Sequence, residues 1–342
     1  MTQATAITLA SRPEGQPSLA NFATAKVDLP EPRDGEFLVR VIWLSLDPYM
    51  RGRMDAAKSY AAPVEIGGIM TGGAVAEVIV SNNKNFQQGA IVVGSFGWTT
   101  HAISDGSGVM IIDPEIAPIS TALGVLGMPG ITAWTGLHTN LQIKAGETLV
   151  VSAATGAVGS LAGQLGRLAG CRVIGVAGGA EKCRYAVETL GYHACLDHRA
   201  HDASSLATAL EEASPNGVDC YFENVGGKTT EAVLSQMNTH GRIALCGMIA
   251  WYSGQGIADA RPLPAVWRTI LTKRLRVQGF IVFDHFSDMP RFLSEVGPMV
   301  MDGRVHYRET IADGLNAAPQ AFLEMLRGGN FGKQLVKVGP DP

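Results

Sequence analysis

Three short apolar runs rich in β-branched residues, 37–43, 74–80 and 90–94, are separated by clusters of Gly, Pro, Asn and Asp. Up to about Asp113 this pattern predicts a mainly β domain. From about Leu149 the texture changes. Apolar runs at 149–152, 172–176, 194–197, 218–222 and 242–246 alternate with stretches of helical periodicity at 158–169, 181–190 and 230–237. Strands alternating with helices predict a parallel α/β sheet, and 276–281 can supply a sixth strand. Six strands match a doubly wound dinucleotide fold. A helix is expected at 289–301, after which a strand-like run at 334–338 returns the tail to the first domain.

Composition narrows the class. Only 17% of the 342 residues are charged and 46% are hydrophobic, against roughly 25% charged in an average soluble domain, so disorder and coiled coil are excluded. The 41 glycines exceed the usual ~7% and point to many tight turns and close backbone approaches. A net charge of -4 offers no basic face for nucleic acid. No apolar run is long enough to span a membrane: 122–137, the longest candidate, contains Pro129, Thr132 and Thr135. The first residues lack a secretory pattern, so the cytoplasm is the expected location. Five cysteines (Cys171, Cys183, Cys195, Cys220, Cys246) include no C-x-x-C pair and are expected as reduced, mostly buried thiols.

The run 149–153 leads into Ala154-Thr155-Gly156-Ala157-Val158-Gly159 and then a helix, which is G-x-G-x-x-G with alanine in the first position. Gly156 lets backbone approach a pyrophosphate, Gly159 lets the helix pack on the strand, and the helix N-terminus faces the anion. Gly227-Lys228-Thr229 resembles the end of a nucleoside-triphosphate loop, but Phe222 stands where that loop needs its first glycine, so kinase and ATPase readings fall away. About twenty residues after the glycines an NAD site would carry an acid. Here the sequence is Ala177-Gly178-Gly179-Ala180-Glu181-Lys182. The apolar strand end leaves room for a 2′-phosphate that Lys182 can reach, so NADPH is expected over NADH; Glu181 is the acid that could substitute.

Dehydrogenation of an alcohol in such a layout commonly uses zinc, yet the N-terminal domain has no cysteine and a single histidine, His101, and neither H-E-x-x-H nor a G-x-S-x-G elbow occurs. Metal-free hydride transfer to a conjugated carbonyl is what remains: hydride adds at the β-carbon while charge moves to the oxygen.

The stretches Leu-Asp-Pro-Tyr-Met-Arg at 46–51, Gly-Met-Pro-Gly-Ile-Thr-Ala at 127–133, 153–160, Gly-Ala-Glu-Lys-Cys-Arg at 179–184, Tyr-Phe-Glu-Asn-Val-Gly-Gly at 221–227, 241–244 and Gly-Asn-Phe-Gly-Lys at 329–333 carry a resemblance to the zinc-free medium-chain dehydrogenase/reductase superfamily. The branch it resembles holds prostaglandin reductases, plant alkenal double-bond reductases and bacterial NADPH-dependent curcumin reductases. The resemblance implies a GroES-like β-rich catalytic domain over 1–123, completed by 306–342, and a Rossmann NADP-binding domain over 124–305. It implies that Gly156, Ala157, Val158 and Gly159 lie at the pyrophosphate, with Gly179 and Lys182 at the adenosine phosphate. Asn224, Cys246, Gly247 and Phe280, Ile281 and Val282 follow the later strands, Met128 and Thr132 line the nicotinamide side, and Asn330 returns from the tail. His198 stands where relatives often carry tyrosine at the adenosine side. The same resemblance implies a homodimer.

Tyr252, on a glycine-flanked loop past the fifth strand, is the candidate donor to the substrate carbonyl, with an apolar pocket wall as its plain alternative. Tyr49, in the Asp47-Pro48-Tyr49 turn, is the second candidate, or an anchor for that turn. Tyr60, Trp98, Trp251 and Phe283 could form an aromatic pocket. The expected activity is NADPH-dependent reduction of the C=C bond of α,β-unsaturated carbonyls; quinone reduction and non-catalytic NADPH sensing remain as alternatives.

Overall fold

The computed structural model describes residues 1–258 and 260–341. The chain divides into two compact units, Met1–Gly124 with Glu309–Pro342, and Val125–Arg308.

The first unit opens with β1 (Thr2–Leu9) and β2 (Phe22–Leu29), an antiparallel ribbon. There follow β3 (Phe37–Ser45), the single turn α1 (Met50–Arg53), β4 (Ala74–Ser81), β5 (Ile91–Gly94), β6 (His101–Ser104) and β7 (Met110–Ile111). In the second unit come α2 (Met128–Thr135), β8 (Thr148–Ser152), α3 (Gly159–Leu168), β9 (Arg172–Ala177), α4 (Ala180–Glu188), β10 (Ala194–Asp197), α5 (Ala203–Ala213), β11 (Val218–Glu223), α6 (Gly227–Gln236), β12 (Met237–Leu245), α7 (Leu263–Lys273), β13 (Arg276–Gly279) and α8 (Met289–Met301). The tail adds β14 (Glu309–Asp313), α9 (Ala318–Leu326) and β15 (Lys333–Lys337).

In the first unit β3 is the central strand, pairing with β4, β6 and the tail strand β15, so the tail does return to this sheet. Its core gathers Phe37, Val39 and Val41 around Trp98, which stacks on Phe22 at 5.7 Å and meets Phe322 edge-on at 5.5 Å. Trp98 is 0% exposed, which removes it from the expected aromatic pocket: its ring holds the β ribbon against α9. Tyr60 and Phe283 are largely exposed. The Arg53 guanidinium lies 4.3 Å from the Tyr60 ring centre, and Phe283 leans on Phe286 at 5.4 Å.

The second unit is a six-stranded parallel sheet in the order β10-β9-β8-β11-β12-β13. This is the doubly wound order, reversing between β8 and β11. All of β8 is buried: Leu149 and Val151 join one core and Val150 the other. A strand covered on both faces reads as a continuous apolar run, which is why these strands show in the sequence. α6 begins three residues earlier than the periodicity predicts, because Gly226 and Gly227, with φ of +84° and +60°, let the chain turn straight into the helix. Met237 opens β12 instead of closing the helix.

Candidate functional site

Where strand order reverses, the carboxyl ends of β8 and β11 leave a ligand crevice, and here the two ends are bolted together. Ser152 Oγ donates to Glu223 Oε1 at 2.9 Å and accepts from Asn224 N–H at 2.8 Å, while Asn224 Nδ2 donates to the Ser152 carbonyl at 2.8 Å. Glu223, 1% exposed, also accepts the Val225 and Gly226 N–H groups at 2.6 and 3.1 Å and the Thr230 hydroxyl. A buried carboxylate is tolerated because this many donors surround it. Glu223 lies in the 221–227 stretch without having been singled out there, and Ser152 and Thr230 carry no motif of their own; the pairing of β8 with β11 and the start of α6 bring the three together.

The turn after β8 is shaped by clashes that glycine avoids. A Cβ on Gly159 would sit 2.2 Å from the Ala153 carbonyl oxygen, so only glycine lets α3 start here. Tyr192, buried at 2% exposure, donates its hydroxyl to the Gly159 carbonyl at 2.7 Å, and a Cβ on Gly163 would strike its ring at 2.0 Å. The left-handed residue of the turn is Ala153, φ +50°, and not the first motif position Ala154. Gly156, Ala157 and Val158 are half-buried at the α3 N-terminus, whose first N–H groups lack intrahelical partners. A Cβ on Gly156 would come within 3.2 Å of the Ala153 oxygen. Backbone donors and space together fit a pyrophosphate.

The ends of β9 and β10 form a second group. Gly179 precedes α4 with φ +104°, and its N–H is accepted by Asp197 Oδ1 at 2.7 Å; the same oxygen accepts Arg199 N–H at 2.9 Å. Sequence reading placed no acid at the end of β9, and none is there, but Asp197 arrives from the neighbouring strand. Burial opposes ionisation of Asp197; the two backbone N–H groups and nearby His198 and Arg199 outweigh it and hold the carboxyl below its ordinary range. The Lys182 ammonium is pushed down by burial and then by Arg199, with Glu181 opposing. Burial also lowers His198, reinforced by Lys228, Arg199 and Lys182. Asp197 and Arg199 were not singled out in the sequence, and Lys228 appeared there only in the rejected nucleoside-triphosphate loop; the Asp-His-Arg run at 197–199, at the end of a strand, is the signal that marks the first two.

The remaining candidates of this unit fall near the same sheet end. Cys246 and Gly247 donate their N–H groups to the Glu223 carbonyl at 2.9 and 3.1 Å; burial, then Glu223, pushes the Cys246 thiol up to about 12. Phe280 and Val282 are buried beyond β13, with Ile281 between them half-buried; Phe280 meets Phe222 edge-on at 6.3 Å. Met128 opens α2, and Thr132 Oγ donates to the Met128 carbonyl at 2.7 Å. Tyr252 closes the loop after β12 with its phenol oxygen accepting Met248 N–H at 3.2 Å, and Trp251 lies over Gly226, whose Cβ would be 2.8 Å from the indole. Trp251 thus fills the space of a missing side chain. A phenol that accepts one hydrogen bond can still donate another.

Two candidates belong to the first unit. Tyr49 leads into α1 with the Arg53 guanidinium 5.8 Å from its ring; burial, then Asp47, raises its pKa so far that it stays a phenol. Its turn is anchored by Lys333, whose ammonium donates to Asp47 Oδ1 at 2.7 Å and the Leu46 carbonyl at 2.8 Å, both side chains being under 10% exposed. Asn330 Nδ2 donates to the Gly332 carbonyl at 2.8 Å. All five cysteines are free thiols, with Cys171, Cys183 and Cys220 buried. Among the described residues no three His, Cys, Asp or Glu side chains gather as a metal site.

Residues 5–112 match the family described as N-terminal domain of oxidoreductase, and 157–297 the family described as zinc-binding dehydrogenase. The chain is 48% identical to the NADPH-dependent curcumin reductase of Escherichia coli (strain K12), over 97% of this chain and 96% of that protein. It is 42% identical to prostaglandin reductase 1 of Rattus norvegicus, over 99% and 100%. The crystal structure of CurA in complex with NADPH from Vibrio vulnificus superposes with a TM-score of 0.94 at 47% identity, over 98% of this chain and all of that one. The chain therefore belongs to the medium-chain dehydrogenase/reductase family, in the branch that holds these reductases, with a β-rich N-terminal domain and a Rossmann domain, and it is an NADP-dependent oxidoreductase.

Proposed function

We propose that this protein reduces the C=C bond of small α,β-unsaturated carbonyl compounds with NADPH and without a metal. The supporting observation is a switch-point crevice with a glycine turn at one end and Lys182, Arg199 and Lys228 near the other, in a chain 48% identical to an NADPH-dependent curcumin reductase. On this reading residues 124–305 bind the cofactor, and 1–123 with 306–342 form the catalytic domain. Gly156, Ala157, Val158 and Gly159 hold the pyrophosphate, and Gly179, Lys182 and His198 the adenosine end. Asn224, Cys246, Gly247, Phe280, Ile281, Val282, Met128, Thr132 and Asn330 frame the rest. The bound nucleotide supplies hydride, which on this reading reaches the β-carbon.

Tyr252 then serves by donating its phenol hydrogen to the carbonyl oxygen as negative charge gathers there. Met248 N–H, donating to the same phenol oxygen, polarises the O–H and strengthens it as a donor. Tyr49 is the second donor, kept protonated by burial. A donor needed mainly in the transition state affects kcat more than KM. Tyr252→Phe is expected to lower kcat on enones on the order of tenfold, less than the 10²–10³ of a rigid oxyanion donor, since water partly replaces a loop phenol. Single-turnover reduction with deuterium at the transferring position of NADPH tests the direction: label at the β-carbon supports the reading, label at the carbonyl carbon refutes it. Full turnover after exhaustive chelation is expected, and turnover of quinones in preference to enones would replace the substrate class.

The protein is further proposed to act in the cytoplasm as a homodimer. Leu263, Trp267 and Leu271 stand one helical turn apart on α7, 62%, 59% and 76% exposed, beside the exposed edge strand β13. Trp267→Glu with Leu271→Glu is expected to halve the mass in analytical ultracentrifugation. Among the described residues no helix is long and apolar enough to cross a membrane.

A further inference from the structure

Gly178 has a structural reason that the glycine pattern alone conceals. A Cβ there would lie 2.9 Å from His198 Nε2 and 3.0 Å from Arg199 Nε, and a Cβ on Gly179 would lie 3.9 Å from an Arg199 terminal nitrogen. The space of the missing side chain is taken by the His198 imidazole and the Arg199 guanidinium together, the latter running on beside Gly179, where the adenosine end of a dinucleotide approaches a Rossmann sheet. Asp197 ties the two backbone segments to each other, because one carboxylate oxygen accepts both the Gly179 and Arg199 N–H groups.

The charges around this point come from three elements. Lys182 stands in the first turns of α4, His198 and Arg199 follow β10, and Lys228 reaches over from α6 to donate to the His201 carbonyl at 2.6 Å. Against them stand Glu181 on α4 and Asp197, the latter already occupied by two backbone donors. Cations pressed this close repel one another; after burial, Arg199 is what most disfavours the charge on Lys182. Such crowding is relieved by an anion, and guanidinium is the group whose fork of donors matches a phosphate.

We infer that Arg199 is a specificity-determining residue that reads the adenosine 2′-phosphate together with Lys182, its guanidinium seated beside His198 in the gap left by Gly178 and its backbone tied to Gly179 by Asp197. The inference rests on the NADPH reading above and adds to it a cation from the neighbouring strand. A ribose 2′-hydroxyl gives Arg199 nothing to neutralise, so its contribution falls on NADPH and not on NADH.

Calorimetric titration of wild type, Arg199→Ala, Arg199→Lys and Lys182→Ala with NADPH, NADH, adenosine 2′,5′-bisphosphate and 5′-AMP tests it without turnover. Arg199→Ala is expected to raise the Kd for NADPH and for the bisphosphate roughly 10- to 100-fold, the scale of a charge-assisted hydrogen bond. NADH and 5′-AMP should change less than about twofold, as a surface group that does not touch them implies. Arg199→Lys should recover part of the loss. Equal weakening of NADPH and NADH would make Arg199 a structural support and overturn the inference. Unchanged discrimination in Arg199→Ala, with discrimination lost in Lys182→Ala, would overturn it while leaving the NADPH reading intact. A wild type that binds NADH as tightly as NADPH would defeat the cofactor reading itself.

Discussion

The turn after β8 and the paired ends of β9 and β10 serve the same expected ligand by opposite means. The first is shaped from behind: Gly159 avoids a carbonyl, Gly163 admits the Tyr192 ring, and Tyr192 in turn holds the Gly159 oxygen. Hardly any charge is involved. The second is shaped from the front, with Lys182, His198 and Arg199 clustered around a glycine pair and a single carboxylate tying the backbone in place. Pyrophosphate is common to every dinucleotide and is served by geometry, which tolerates no change. The 2′-phosphate separates one cofactor from another and is served by side chains, which substitution can tune. Damage at the first end should therefore reach folding, and damage at the second should reach selectivity first and folding only through the charge balance around His198.

The largest effect expected is that of Gly159→Ala. The added methyl meets backbone at 2.2 Å, and backbone cannot rotate away. Overpacking of this kind costs about 3 kcal/mol or more, so urea denaturation should show a much lower midpoint and NADPH and NADH should both bind poorly. A variant of normal stability that merely changed its preference between the two would erase the distinction between the ends.

Lys182→Ala comes next and should show the reverse pattern. Loss of one charge-assisted contact is expected to cost about 2 kcal/mol in the KM for NADPH, with the KM for NADH and the denaturation midpoint nearly unchanged. Equal losses for the two cofactors would place Lys182 outside the 2′-phosphate contact.

How much of this was legible in the sequence follows the same division. Buried parallel strands write themselves as apolar runs, so β8, β9 and β11 stood out, and so did the glycines that must be glycines. The β1–β2 ribbon did not, because no residue of β2 is buried and its polar residues fall on alternate positions, which leaves β1 without an apolar partner run in the sequence. α7 was missed for a related reason: only Val266 and Ile270 pack on the core and neither is fully buried, while Leu263, Trp267 and Leu271 are exposed. Trp98 could not be assigned to core or pocket, since an indole serves either until its neighbours Phe22 and Phe322 are known. Asp197 and Arg199 escaped because the rule for the adenosine end looks along one strand, whereas the fold delivers these groups from the next. Ala153 is the converse case, a left-handed residue where a glycine would have been expected, visible only in its φ of +50°.

Tyr192→Phe probes the packed end more gently. It removes the hydroxyl that donates to the Gly159 carbonyl and leaves that oxygen only its bond within α3, in a buried site. A cost of about 1–2 kcal/mol is expected, read as a shifted urea midpoint with an unaltered ratio of NADPH to NADH affinity. A changed ratio with no loss of stability would mean that the packed end also discriminates between cofactors.

The smallest effect separates the two ends by pH. His198 is held below its ordinary pKa by burial first and then by Lys228 and Arg199, while the unfolded chain titrates near 6.5. Above that value the imidazole is neutral in both states and contributes nothing. As the pH falls through 6.5 the unfolded chain takes up the proton that the folded chain resists, so unfolding becomes easier. Wild type should therefore lose stability relative to His198→Asn between pH 7 and 5, the difference levelling once the folded imidazole also protonates. Comparing the two proteins cancels His101 and His193, whose pKa values are likewise lowered. Adenosine 2′,5′-bisphosphate should shrink the difference, because a bound phosphate offsets the cations that oppose protonation. Burial raises the Tyr192 pKa far above this window, so the loss caused by Tyr192→Phe should stay constant from pH 7 to 5. Parallel pH profiles for wild type and His198→Asn would show that the charged end exerts no field on its own histidine, and the contrast drawn between the two ends would fail at its electrostatic half.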